Sequence, residues 1–280
     1  MKLADFLKKT APQWEGVTDT AALDVSVLVA HLLGRSRAWV LSHGEFELSI
    51  EQVETLTKYL ALYQQGVPLP YLLGKWEFYG REFIVTQATL IPRPETELLV
   101  EAVCAWLKRH PAAREVLDVG TGTGCIAISV ALCQERLQVV ASDVSFPAVQ
   151  VARRNVLHYH LQGRVFLTVA HLLPPLAKQF DVICANLPYV PSERLRTLPI
   201  YGKEPTLALD GGCDGLDLYR QLFALLPRRV KQTALIACEM DAAHSTALAV
   251  IAQNTFPQGK VTIAKDLSGQ ERLLMVEIEE

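Results

Sequence analysis

The sequence predicts an α/β fold: a Rossmann-like, seven-stranded, mostly parallel sheet with helices on both faces, preceded by a small N-terminal helical bundle. Three observations lead there. Residues 1–75 carry helical periodicity and almost no strand signal. From about residue 95, short apolar runs alternate with helical segments. The first of those runs ends in three alternating glycines, 120, 122 and 124.

In the first segment, "TDTAALDVSVLVAHLLG" starts at a Thr cap and stops at Gly34. "SIEQVETLTKYLALYQQG" opens on a capping box, Ser49 with Gln52, and sets Ile50, Val53, Leu56 and Leu60 on one face. Residues 76–94 break the pattern with prolines and glycines and read as a hairpin linker turning at Gly80. "TELLVEAVCAWLKRH" is an amphipathic helix that opens the third segment, 95–280. Seven strands follow: "EVLDVG", "LQVVASD", "RVFLTVA", "DVICAN", "TALIACEM", "KVTIAKD" and "RLLMVEIE". Half of the 280 residues are hydrophobic and 20% are charged, which supplies a core and excludes a disordered chain. A net charge of −3 gives no bulk reason for nonspecific nucleic-acid binding. The N-terminal stretch lacks the apolar core of a secretory leader. The apolar runs fall short of the ~20 residues a membrane helix needs. Six scattered cysteines, none spaced C-x-x-C, read as reduced core thiols, and a cytoplasmic location is expected.

In a parallel α/β sheet, ligands bind beyond the carboxyl ends of the strands. After the first strand, "VGTGTG" departs from the dinucleotide fingerprint, because Cys125 stands where a third glycine would be needed. The turn suits a ligand without a pyrophosphate, S-adenosylmethionine being the candidate. After the second strand, Asp143 can accept hydrogen bonds from both ribose hydroxyls; helix capping is its plainer role, and Ser145 can fill that instead. After the third, an adenine ring would pack near His171 and Leu172, although a lone His is more often an ordinary loop residue.

After the fourth come Asn186, Leu187, Pro188 and Tyr189. An amide NH₂ is a poor nucleophile, its lone pair delocalised into the carbonyl. Two acceptors gripping its two N–H bonds can aim it at a methyl carbon and stabilise charge developing on nitrogen. The Asn186 side-chain oxygen and the Leu187 carbonyl are the candidate acceptors. Pro188 stiffens the turn, and Tyr189 offers a ring on which a planar group can stack. No general base of pKa near 7 is visible among these residues. The plainer alternative is a proline-kinked loop.

Together these residues resemble the class I S-adenosylmethionine-dependent methyltransferases, and within them the PrmC/HemK family of release factor glutamine methyltransferases. The more specific segments are "IPRPETE" and "EPTLALDGGCDGLDLYR". The resemblance implies methylation of the side-chain nitrogen (N5) of the glutamine in the Gly-Gly-Gln loop of bacterial class I peptide chain release factors. It implies that residues 1–75 help dock the release factor. Gly120, Thr121, Gly122, Thr123 and Gly124 would line the cofactor, Asp143 would hold its ribose, and Asn186 to Tyr189 would grip the glutamine amide, with Asn186 also near the cofactor. Two positions depart from the family pattern: Leu187 replaces a proline, and His171 stands where an Asp usually meets the adenine. The chain is expected to be a monomer that needs no metal and makes no direct nucleic-acid contact. The spelling N-L-P-Y also resembles the ribosomal RNA adenine dimethyltransferases, so a nucleic-acid adenine N6-methyltransferase is the alternative. Against it, that family carries its helical extension after the catalytic domain. A non-catalytic binding module on the same fold is a third reading.

Overall fold

In a computed structural model that describes residues 1–279, the chain divides into two compact units, Met1–Lys75 and Trp76–Glu280. The first holds five helices: α1 (Leu3–Trp14), α2 (Ala21–Leu33), α3 (Arg37–Ser42), α4 (Ile50–Gln64) and α5 (Leu69–Leu73). Their apolar faces meet in one core around Phe6, Val25, Leu28, Leu56 and Leu60. The capping box forms at α4: the Gln52 N–H donates to the Ser49 hydroxyl (3.1 Å), and the Ser49 N–H donates to the Gln52 side chain (2.9 Å). Thr20 sits at the N-cap of α2 but caps nothing. Its hydroxyl donates instead to Asp24 (3.1 Å), which also accepts from Thr18 (3.1 Å) and from Tyr63 of α4 (2.6 Å). A tie between two helices has outcompeted the local cap.

The second unit begins with a two-stranded hairpin, β1 (Lys75–Phe78) and β2 (Arg81–Ile84), turned at Gly80. Helix α6 (Glu97–Arg109) leads into β3 (Glu115–Val119), α7 (Cys125–Cys133), β4 (Gln138–Asp143), α8 (Phe146–His158), β5 (Val165–Val169) and β6 (Phe180–Ala185). Then come the short α9 (Ser192–Leu195), α10 (Asp217–Leu225), β7 (Val230–Glu239), α11 (Ser245–Thr255), β8 (Lys260–Lys265) and β9 (Glu271–Ile278). The sheet order is β5-β4-β3-β6-β7-β9-β8, with β3 to β7 parallel and β9 antiparallel to both neighbours. All seven apolar runs of the sequence are its strands. β3 pairs with β4 on one side and β6 on the other, so the order reverses at β3 and opens a crevice above its end. Two apolar layers cover the faces. Val116, Val139, Val182 and Leu235 point to the α6–α7 side, and Leu117, Ile183 and Ile236 to the α10–α11 side.

The 76–94 stretch is tied into the second unit rather than loosely linked to it. Asn155 of α8, fully buried, accepts from the Ile84 N–H (2.8 Å) and donates to the carbonyls of Ile84 (3.0 Å) and Thr123 (2.8 Å). One side chain thereby fixes the hairpin, a helix and the glycine turn. The cysteine expectation needs correcting at one pair: Cys104 of α6 and Cys133 of α7 form a disulfide. Their 29-residue separation hides the fact that the two helices pack side by side. Cys125, Cys184 and Cys238 are free and buried, and Cys213 is free and exposed. Among the described residues no helix is long and apolar enough to cross a membrane.

Asn155→Ala is expected to destabilise the protein by about 2–4 kcal/mol, because it removes three hydrogen bonds of a fully buried side chain and strands the Ile84 N–H. Denaturant unfolding should show an earlier midpoint at unchanged slope, and a loss below ~1 kcal/mol would contradict the clamp.

Candidate active site

β3 runs out at Val119, and the chain then makes two N–H bonds to one acceptor: Gly120 and Thr121 both donate to the Ser142 carbonyl at 2.9 Å. Gly120 has φ +74°, and a Cβ on it would lie 3.1 Å from the Leu187 side chain. The positive φ asks for a glycine there, and a Cβ would also push the Leu187 side chain aside by a few tenths of an ångström. Beneath the turn lies Asp118, fully buried. Its Oδ2 accepts from the Thr121 hydroxyl (2.6 Å) and the Ala127 N–H (3.2 Å), while Oδ1 has no donor among the described residues. Burial pushes this carboxyl up to about 7, against the lowering effect of its two donors.

Asp143, at the tip of β4, accepts from the Gly122 N–H with Oδ2 and from the Ser145 N–H with Oδ1, both at 2.8 Å. Ser145 caps α8 through its hydroxyl, so the carboxylate is not consumed as a helix cap. Each carboxylate oxygen keeps a lone pair for a further donor, as a pair of ribose hydroxyls requires. Burial raises the Asp143 pKa. Beyond β5, His171 is exposed and Leu172 buried, and the Leu172 carbonyl is held by the Ser142 hydroxyl (2.6 Å).

The glycine turn, Asp143 and the 171–172 pair line one cavity of about 310 Å³, inside the usual range for small-molecule sites. Gly120, Thr121, Gly122, Thr123, Asp143, His171, Leu172, Asn186, Leu187 and Pro188 all face it. Gly124 and Tyr189 do not. Gly124 starts α7 and packs near Ile128 and Ala152, and the Tyr189 hydroxyl points to Glu239 (3.4 Å). The glycine cradle, the half-committed Asp143 and the cavity volume fit S-adenosylmethionine. The opposite wall comes from segments not expected to line it, among them Arg93, Thr96, Pro205 and Leu207. Glu204 joins the two, accepting from the Ile91 N–H (2.9 Å) and pairing with Arg93 (2.5 Å).

The Asn186–Tyr189 segment stands beyond the sheet, whose pairing ends at Ala185. Three devices hold it. The Leu187 N–H donates to the Tyr219 hydroxyl (3.2 Å), which in turn donates to the Glu239 carbonyl. The Val190 N–H donates to Leu209, and the Gly211 N–H to Val190. The glycines of "DGGCDG" then let one backbone press on the other. A Cβ on Gly211 would lie 2.8 Å from the Pro188 oxygen and from the Tyr189 Cα, and one on Gly215 would strike the Tyr189 carbonyl and the His244 ring.

The side chain of Asn186 is oriented by two acceptors. Its Nδ2 donates to Glu239 Oε2 (2.9 Å) and to Thr96 Oγ1 (3.0 Å). With both amide protons directed at these acceptors, the amide oxygen is the polar atom of Asn186 left for a guest in the cavity that the residue lines. Glu239 is only 2% exposed, and burial pushes it up to about 7. A group titrating near 7 therefore does stand at this site, although none was visible in the N-L-P-Y stretch. It lies behind Asn186 and does not line the cavity.

The PrmC N-terminal domain model matches residues 6–74, and the Methyltransferase small domain model matches residues 94–197. A release factor glutamine methyltransferase of Bacillus anthracis is 34% identical over 260 residues, covering 90% of this chain and 91% of that protein. One from Enterococcus faecalis is 37% identical over 249 residues, covering 85% of this chain and 86% of its own length. The chain belongs to the release factor glutamine methyltransferase family. The fold also recurs in a T. thermophilus 16S rRNA N2 G1207 methyltransferase solved with AdoMet and guanosine, at TM-score 0.52 and 15% identity, over 73% of this chain and 50% of that one. At that identity the likeness is one of fold alone.

Thr96, Glu204, Tyr219 and Glu239 escaped the sequence reading. Glu239 had a signal: a carboxylate closing the apolar run "TALIAC" is the same kind of strand-end residue as Asp143. The other three lie within "IPRPETE" and "EPTLALDGGCDGLDLYR", but their individual roles had no local signal, since their partners lie 20 to 113 residues away.

Gly215→Ala is expected to displace Tyr189, because φ is +82° and the new Cβ would sit 2.6 Å from His244 Cε1. Methyl transfer in single turnover should slow by ~10-fold or more, since a misplacement of about 1 Å is enough for that. Cofactor affinity should hold. Parallel losses in both, or none in either, would count against the brace.

Proposed function

We propose that the chain holds S-adenosylmethionine in the cavity above β3 and methylates the side-chain amide nitrogen of the glutamine in the Gly-Gly-Gln motif of peptide chain release factors. It is an S-adenosylmethionine-dependent protein-(glutamine-N5) methyltransferase. The observation that carries the site assignment is the orientation of Asn186, whose NH₂ is engaged by Thr96 and Glu239 while its oxygen stays available to the cavity.

The cofactor supplies an electrophilic methyl group on a positively charged sulfur. Asp143 would take its ribose hydroxyls, and the 120–123 turn would bring backbone close against it. His171 and Leu172 lie where the adenine would pack. Asn186 Oδ1 and the Leu187 carbonyl would accept one N–H each from the substrate amide. That grip points the nitrogen at the methyl carbon and stabilises the positive charge that grows on it. A methylated amide nitrogen is a strong acid, so its proton leaves without a dedicated base. Pro188 fixes the turn, and Tyr189 supports the loop from behind. The helical unit, residues 1–75, is proposed to dock the release factor, with the enzyme acting as a monomer in the cytoplasm. A nucleic-acid adenine shares the planar NH₂, and it sets the control for the assay.

With S-adenosylmethionine, the protein should add one methyl group to the Gly-Gly-Gln tryptic peptide of a release factor, read by mass spectrometry. Label in ribosomal RNA and none in that peptide would overturn the assignment. Asn186→Ala should lower kcat by about 10²–10³, the usual effect of deleting one such group, with cofactor affinity within ~3-fold. Asp143→Ala should do the reverse and weaken the cofactor by ~10-fold or more, as loss of charge-assisted hydrogen bonds requires. Calorimetric titration would separate the two.

A further inference from the structure

We propose that Glu239 is a positioning residue that decides which end of the Asn186 amide faces the substrate, making methyl transfer depend on an ionised carboxylate behind the cavity. This rests on the reading of Asn186 given above.

The two ends of an asparagine amide are nearly identical in shape and opposite in hydrogen-bonding character. Only the amide with its oxygen toward the cavity can accept an N–H from a substrate NH₂. The flipped amide would present donor to donor. Asn186 alone has no intrinsic preference, so its neighbours must impose one. Thr96 Oγ1, 3.0 Å away, accepts from the amide while its own proton goes to Glu239, so its preference follows that of the carboxylate. Glu239 Oε2, 2.9 Å away, accepts only from an N–H while ionised and repels an oxygen. A protonated Glu239 can donate to Oδ1 and hold the amide the wrong way round. Glu239 thus acts through Asn186.

The groups facing Glu239 come from every neighbouring element. Burial is the largest influence and raises its pKa, Arg272 on β9 and hydrogen bonds from Thr96 and Tyr189 lower it, and Glu95 raises it. Tyr219 and Cys125 feel its charge in turn. The balance sits at about 7, so a rise in pH through neutrality ionises Glu239 and sets the amide for catalysis. The same balance has a stability cost with a definite sign. A carboxyl whose pKa is raised in the folded state stabilises the fold while protonated, and that contribution is lost as pH rises through its folded pKa. Function asks for the form that stability disfavours.

The test is Glu239→Gln in the full-length chain, with kcat from pH 5.5 to 9 at saturating cofactor and peptide, cofactor titration by calorimetry, and thermal unfolding at pH 5.5 and 8. The wild type should gain activity through an inflection near 7. Glu239→Gln should lose about 10-fold or more in kcat, since a neutral amide no longer enforces the flip, and should lose that inflection. Its cofactor affinity should hold, and its melting temperature at pH 8 should match or exceed the wild type's. Asp118 also titrates near 7, so an inflection that survives unchanged in Glu239→Gln belongs to Asp118 and overturns the proposal. So does a variant that loses kcat, cofactor affinity and melting temperature together at every pH. Should Glu239→Gln fail to fold, Thr96→Val and Glu239→Asp decide: both should keep the inflection while lowering kcat more than affinity, and unchanged kcat in both overturns the proposal. A wild type inactive on the peptide would instead sink the functional reading itself.

Discussion

The tip of β6 has to be rigid where the sheet can no longer hold it. Ladder pairing stops at Ala185, and three of the next four residues, Asn186, Leu187 and Pro188, line the cavity. A buried backbone N–H without a partner costs ~1–3 kcal/mol, and a mobile one would let the Leu187 carbonyl wander. The Tyr219 hydroxyl answers both problems. It takes the Leu187 N–H and anchors itself on the Glu239 carbonyl, linking the ends of two neighbouring strands through a side chain of α10. Tyr219 has no exposed surface, so the link is dry. The glycine segment 211–215 works to the same end from the other side, replacing side-chain contact with direct backbone pressure.

Seen from that brace, the two segments most particular to this family have mechanical roles. "EPTLALDGGCDGLDLYR" contributes Glu204 at one end, the glycines in the middle and Tyr219 near the other. Glu204 reaches the Ile91 N–H and Arg93 of "IPRPETE", and Thr96 of the same segment reaches Asn186. Each wall of the cavity is fastened to the other by buried polar contacts, which lose more when half-broken than they gain when made.

The sheet was legible because strand-forming runs are local: seven apolar stretches and seven strands coincide. That the turn after β3 lines the cavity was legible because glycines at 120 and 122 have few other reasons to alternate after a strand. That Asp143 and Asn186 line the same cavity could be read because one ends a strand and the other directly follows one. Thr20 misled because a local cap competes with a distant carboxylate, Asp24, that also serves Tyr63. The Cys104–Cys133 pair, Tyr219 and Glu204 were hidden for a single reason: each acquires its meaning from a partner chosen by the fold. Two buried carboxyls, Asp118 and Glu239, both raised to about 7, mark where the molecule accepts a stability cost near its chemistry.

β7, which delivers Glu239, lies between β6 and β9, and β9 follows β8 in the chain yet inserts ahead of it in the sheet. Leu273 pairs with Glu239 itself. Until β9 inserts, β7 would have an open edge beside it. The Glu239 corner is thus gripped from both sides only after a strand that follows it in the chain has docked.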